Sequence, residues 1–199
     1  MQKDADIRIF LEKNLSVRQM TCSKYEAVIR HTSVSHDIWY VKEGTAGLCV
    51  ITPNGEHRIL ACYEAGDFFD AGLLHQLAFL ETAYLLALTK CSFLVYHEKP
   101  LSARMNTELF RIRREIAVSY EQKISLHLAI LMQTSLRAKL LSYFSFLRGH
   151  LAAPTFTLPF SYSRLAEYLA VDRSSMMREL SAMKKDGVLR TEGRQITLL

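Results

Sequence analysis

The chain has 199 residues, a formal charge of +5, 49% hydrophobic residues and 23% charged ones, the composition of a globular protein with room for one large domain or two small ones. Eight glycines and four prolines exclude collagen-like and low-complexity character, and no run approaches the roughly 18–20 apolar residues of a membrane helix. The first residues, MQKDADIRIFLEKN, carry acids and lack an apolar stretch with a small-residue cleavage site, so they do not read as a secretory leader. The chain is therefore expected to be soluble and cytoplasmic, with no membrane partner. Residues 34–98 read as β. IWYVKEG (38–44), AGLCVIT (46–52), HRILACY (57–63), AYLLALT (83–89) and SFLVYHE (92–98) are short apolar runs punctuated by EGTAG, TPNGE and EAGD. Pro53-Asn54-Gly55-Glu56 is a hairpin turn, because proline presets φ and Asn-Gly tolerates positive φ. Short strands at this spacing imply an antiparallel sandwich or jelly roll.

From Leu101 the period changes. Leu109, Ile112, Ile116, Tyr120, Ile124, Leu128 and Leu131 recur at three and four residues, the seam of a helix from about 102 to 131. Its length, roughly 45 Å at 1.5 Å per residue, exceeds what a barrel of this size covers, so a second copy of the chain is the expected partner of that seam. A second helix follows from Ser135 to Leu147, with its stop expected at Arg148-Gly149-His150. After PTFTLPF, Ser161 caps a short helix with Leu165, Ala166 and Leu169 inside. Ala170-Val171-Asp172 is a turn. Another helix then runs from Arg173 to Met183 and ends near Gly187, and VLRTEGRQITLL closes as a hairpin about Glu192-Gly193.

Charge is unevenly spread along this order. Residues 1–98 hold 9 Lys/Arg and 12 Asp/Glu, residues 99–150 hold 9 and 3, and residues 151–199 hold 7 and 5, so a polyanion would meet the back half. Cys22, Cys49, Cys62 and Cys91 are scattered and are expected as buried thiols in a reducing compartment. Without CxxC or zinc-finger spacing, no metal site is expected.

The last forty-five residues carry the chemistry. Helix, three-residue turn and helix, with small Ala166 where the two must approach, is a helix-turn-helix arrangement. Val171, Met176 and Leu180 face inward, which leaves Arg173, Ser174, Ser175, Arg178 and Ser181 on an outer, donor-rich face. Arginine forks can grip guanine O6 and N7 in a major groove, while hydroxyls and backbone N–H groups hold phosphates.

The segment LAEYLAVDRSSMMRELSAMKKDGVL resembles the winged-helix DNA-binding domain of the Crp/Fnr superfamily, and IWYVKEGTAGLCV with GEHRILACYEAGDFFDAGLL resembles its cyclic-nucleotide-binding-type β-roll. The resemblance covers roughly residues 20–199. It implies an α+β chain: an effector-sensing β-roll (jelly roll) over 1–100, a dimerisation helix over 101–132 and a winged helix-turn-helix over 133–199. It further implies a homodimeric bacterial transcription regulator of palindromic promoter DNA under a small-molecule effector, with RNA polymerase as a further partner. Arg173, Ser174 and Arg178 take the base-reading positions. Ser174 stands where the cyclic-AMP receptor protein has a cytosine-reading glutamate. Ser161, Ser163, Ser175 and Arg194 take phosphate positions.

The effector pocket implied by the resemblance falls on Gly66, Ala71, Gly72, Glu81 and Thr82. Ala71 replaces the ribose-binding glutamate, and Glu81-Thr82 replaces the phosphate-binding Arg-Ser pair, so a carboxylate faces a phosphate where binding needs a cation. The adenine-contacting hydroxyl pair falls near Glu121-Gln122. Cyclic AMP in the usual mode is therefore disfavoured. An iron–sulfur cluster is disfavoured as well, since Cys22 is the only cysteine before residue 49. The effector is unassigned, and haem stays open with His75, His97 or Cys62 as an axial ligand. The alternative is a ligand-binding or scaffolding module of the same β-roll type without a DNA target. An enzyme is disfavoured, because nucleophile-elbow, P-loop, HExxH and paired-carboxylate patterns do not occur.

Overall fold

The computed structural model describes residues 2–30, 36–76 and 82–199, and the chain divides into two units, Met1–Ile124 and Ser125–Leu199. The first unit opens with helix α1 (Gln2–Asn14) and continues through β1 (Ser16–Cys22), β2 (Ala27–Arg30), β3 (Ile38–Glu43), β4 (Thr45–Ile51), β5 (His57–Glu64), β6 (Phe68–Asp70), the short α2 (Gly72–Gln76), β7 (Tyr84–Ala87) and β8 (Cys91–His97). Helix α3 (Ala103–Leu131) follows, and the division between the units falls inside it.

The strands form two four-stranded antiparallel sheets, β1-β8-β3-β6 and β2-β7-β4-β5. The non-sequential order is that of the expected jelly roll. Alternating side chains from both sheets fill the space between them, among them Trp39, Val41, Leu48, Tyr63, Phe69, Leu85 and Phe93. Two edge-to-face aromatic pairs tighten this core: Trp39–Phe93 with ring centres 5.6 Å apart and Tyr63–Phe69 at 5.2 Å. The expected turn between β4 and β5 is present. Gly55 takes φ +79°, its N–H donates to the Thr52 carbonyl at 2.8 Å, and the Thr52 N–H donates to the Glu56 carbonyl at 2.8 Å.

A second cluster lies on the outer side of sheet β1-β8-β3-β6. Ile7, Leu11 and Leu15 of the amino-terminal segment and Leu109, Ile112 and Ile116 of α3 bury Ile38, Phe68 and Tyr96 there. This corrects the helix seam. Leu109, Ile112 and Ile116 are covered by their own β-roll and are not free for another chain, while Tyr120 and Ile124 pack partly against the inter-sheet core. The large apolar residues that α3 leaves exposed are Met105, Phe110, Val118 and Leu128, with Met132 just beyond its end. The period of the helix was read correctly; the surface that covers it was not. Arg113 fixes α3 to the sheet, its guanidinium donating to Asp70, to Glu98 at 2.9 Å and to the His36 carbonyl.

The second unit contains α4 (Leu136–Leu151), β9 (Thr155–Thr157), α5 (Tyr162–Tyr168), α6 (Arg173–Lys185), β10 (Leu189–Glu192) and β11 (Gln195–Leu198). Helix α4 starts where expected, with the Ser135 hydroxyl accepting from the Ala138 N–H at 3.1 Å, but it passes through Gly149 and ends one turn later at Ala152, which adopts the left-handed conformation. Leu140, Phe144, Leu147, Phe156, Phe160, Leu165, Met176, Leu180 and Met183 are buried. Strand β9, unread in the sequence, joins the carboxy-terminal hairpin in a sheet of order β10-β11-β9. Among the described residues no helix is long and apolar enough to cross a membrane.

Candidate nucleic-acid interface

Helices α5 and α6 meet across a turn built by backbone bonds. The Val171 N–H donates to the Ala166 carbonyl at 3.0 Å, and Ala170 takes φ +52°, a left-handed conformation uncommon for a residue with Cβ. Ser161 caps α5, its hydroxyl accepting from the Arg164 N–H at 3.4 Å. Asp172 caps α6, a role the sequence reading assigned only to the turn although Asp before an apolar-periodic run is a start signal. One carboxylate oxygen of Asp172 accepts from the Ser175 N–H at 2.8 Å and from the Ser174 hydroxyl at 2.6 Å.

Those bonds, first that from Ser174 and then those from Ser175, pull the Asp172 carboxyl down from 3.8 to about 2. A depressed acid adds stability above its unfolded-state pKa and loses it as pH falls toward the folded value. Thermal unfolding followed between about pH 4 and pH 2 should show the second unit losing stability through this cap. Asp172→Asn should flatten that part of the pH dependence, and an unaltered profile in the variant would count against the cap.

Met176, Leu180 and Met183 hold α6 to its own core, and the opposite edge is open. Arg173, Ser174, Arg178 and Ser181 are exposed and Ser175 is half-buried. Arg178 donates to the Ser175 hydroxyl at 3.0 Å, which holds the guanidinium alongside the first turn. Ser174 is less free than expected, because its hydroxyl proton is given to Asp172. On α5, Ser163 is exposed and Ser161 half-buried. Arg194 lies in the wing turn between β10 and β11, and its guanidinium donates to the Leu158 carbonyl at 3.4 Å. The Tyr162 hydroxyl donates to the Gly193 carbonyl at 2.8 Å and so ties the start of α5 to that turn. Arg137, which the sequence reading did not single out, clamps α4 to α6 through Glu179 at 2.6 Å and Asp186 at 2.7 Å. No local pattern marks such a pair before the fold is known. The unit 125–199 holds ten Lys/Arg against five Asp/Glu, equal to the whole net charge of +5.

Residues 137–199 match the family described as the Crp-like helix-turn-helix domain. That segment is a Crp-like helix-turn-helix domain. The fold of the chain is similar to that of FixK2 from Bradyrhizobium japonicum, at 20% identity with 92% of this chain and 93% of that one covered and a TM-score of 0.74. It is similar as well to a CooA mutant from Carboxydothermus hydrogenoformans, at 18% identity, 94% and 84% coverage and a TM-score of 0.72. CLP of Xanthomonas campestris matches at 17% identity, 98% coverage of both chains and a TM-score of 0.72. At these identities the likeness is one of fold. No curated protein sequence matches the chain.

The β-roll treats the expected effector residues differently from one another. Ala71 is buried beside Leu73 and Leu74 in the inter-sheet core. The Thr82 hydroxyl donates to the Ile51 carbonyl at 2.9 Å and accepts from the Ile51 N–H at 3.3 Å, so it is committed to β4. Gly72 donates its N–H to Asp70 at 2.9 Å, and Glu81 lies outside the described residues. An open cleft of about 500 Å³ lies instead among α1, the Gly66–Phe68 turn and α3. Its walls include Ile7, Phe68, Arg111, Arg114 and Val118, and among the described residues of the expected pocket only Gly66 borders it. Of the residues considered as haem ligands, His97 pairs with Asp37 at 2.9 Å, burial pushes the Cys62 thiol well up, and the His75 side chain is outside the description.

Proposed function

We propose that this chain is a homodimeric transcription regulator of Crp/Fnr type that reads a palindromic promoter site with α6 and answers to a small-molecule effector at the β-roll. The observation that carries the reading is the exposed edge of Arg173, Ser174 and Arg178, with half-buried Ser175 beside them, at the start of α6, in the unit that holds all of the chain's net charge. Arg173, Ser174 and Arg178 read bases, while Ser161, Ser163, Ser175 and Arg194 hold phosphates. CLP of Xanthomonas campestris is described as a c-di-GMP-responsive global regulator, and that description supports the class. RNA polymerase is a further partner under this reading. With Ala71 in the packed interior, the cleft at Gly66–Phe68 is the place where an effector is received.

The dimer forms along the exposed stripe of α3. Phe110 and Val118 are 73% and 44% exposed and lie about 80° apart around the helix at 3.6 residues per turn. Phe110→Ala should weaken the dimer about tenfold, or 1.4 kcal/mol, in analytical ultracentrifugation. An unchanged dimer constant would move the seam elsewhere.

Fluorescence anisotropy on a randomised duplex library tests the function. The selected sequences should form an inverted repeat with half-site centres about 34 Å apart, and affinity should fall steeply with salt. Equal affinity for every sequence, or no salt dependence, would remove the reading.

A further inference from the structure

We propose that Cys22 and Cys91 are a thiol-oxidation site, closing to a reversible disulfide across strands β1 and β8. The two cysteines are direct partners in the antiparallel register. Opposed residues have their side chains on one face of a sheet and their Cα atoms about 4.5 or 5.5 Å apart, according to the type of pair. Both separations lie inside the roughly 4.4–6.8 Å that a disulfide spans. Cys22 and Cys91 also belong to the same core cluster. The other two cysteines are placed differently, with Cys49 opposite Ile59 and Cys62 opposite Gly47.

The reduced pair is at rest in the fold. The Cys91 thiol donates to the Thr45 carbonyl at 3.2 Å and lies 3.4 Å from the Thr89 carbonyl and 4.0 Å from the Thr89 hydroxyl. Removing its proton strands no acceptor at Thr45, whose carbonyl also accepts from Leu88 at 2.9 Å and Thr89 at 3.2 Å. Burial, with the Glu26 carboxylate and Cys91 adding to it, pushes the Cys22 thiol up to about 11, and burial raises Cys91 as well. Both are therefore protonated at neutral pH, and oxidation requires a local opening. The position supplies one: β1 is an edge strand, Cys22 is its last residue and Cys91 the first of β8. Exposed Ser23–Glu26 and Lys90 flank the pair, so one frayed rung uncovers both sulfurs.

The oxidant is a small organic disulfide such as oxidised glutathione. One cysteine loses its proton to water, and its thiolate attacks a sulfur of the small disulfide and expels one small thiolate. The second cysteine, deprotonated in turn, attacks the protein-side sulfur of the mixed disulfide and expels the other. Two protein S–H bonds and one S–S bond are lost, one protein S–S bond and two small thiols form, and two electrons pass to the oxidant.

Incubating the full chain with oxidised glutathione, alkylating free thiols and mapping peptides by mass spectrometry tests this. The expected result is a Cys22–Cys91 linked peptide and an intact mass lower by two hydrogens. Dithiothreitol should reverse both, and the oxidised chain should melt at a higher temperature. The link should persist in a Cys49→Ser, Cys62→Ser double variant and vanish in Cys22→Ser. Free, alkylated Cys22 and Cys91 after oxidation, glutathione adducts without a link, or a link to Cys49 or Cys62 would each overturn the proposal. Because the map is read on the unaltered chain, a misfolded variant does not obscure it.

Discussion

Phe144→Ala should destabilise the unit Ser125–Leu199 by about 3–5 kcal/mol, the usual cost of emptying a buried phenylalanine site. Phe144 has no exposed surface, and its ring lies 5.9 Å from Phe156 and 6.1 Å from Tyr143. Through Tyr143 the contacts continue to Phe160 and Tyr168, with His127 stacked 4.1 Å from Tyr168. One truncation therefore opens a hole between α4 and β9 that flat rings refill poorly. A differential scanning calorimetry trace of the variant should show the transition of this unit moved down, with that of Met1–Ile124 left in place, and DNA binding lost on heating before the β-roll melts. A single transition that shifts as a whole would show that the two units unfold together.

Arg178→Ala should cost about 1–3 kcal/mol on the selected duplex and relax preference at one base pair. The side chain is exposed, and its only described bond within the protein is to the Ser175 hydroxyl, so truncation leaves the fold intact and the effect can be assigned to DNA. Affinity for the selected and for scrambled duplexes, measured at several salt concentrations, separates the two roles of an arginine. A loss confined to the selected site assigns Arg178 to a base edge, whereas an equal loss on both, with the salt slope smaller by about one, assigns it to a phosphate.

The parts legible in the sequence were those with a strong local period. Pro53-Asn54-Gly55 announced its hairpin, and Met176 and Leu180 announced the buried side of α6. Strand β1, SVRQMTC, was missed because it is an edge strand whose only fully buried residue is Cys22, so no alternation shows. Helix α1 was missed because Ile7 and Leu11, with partly buried Phe10, anchor a mostly polar segment. Gly149 misled the end of α4, since a glycine weakens a helix interior by about 1 kcal/mol without forbidding it. The seam of α3 fixed which residues share a side but not what lies against them. At the interface, the exposed arginines of α6 were foreseeable from spacing, whereas the Asp172 carboxylate that occupies Ser174 became visible only with the geometry.

Arg173, Ser174 and Arg178 make no contribution to the buried side of α6, which rests on Met176, Leu180 and Met183. Under the proposed function, mutational drift at Arg173 and Arg178 would redirect the chain to other operators with little toll on folding, whereas Ser174 also serves the Asp172 cap, and a duplicated copy of the gene could acquire a new regulon in a few steps.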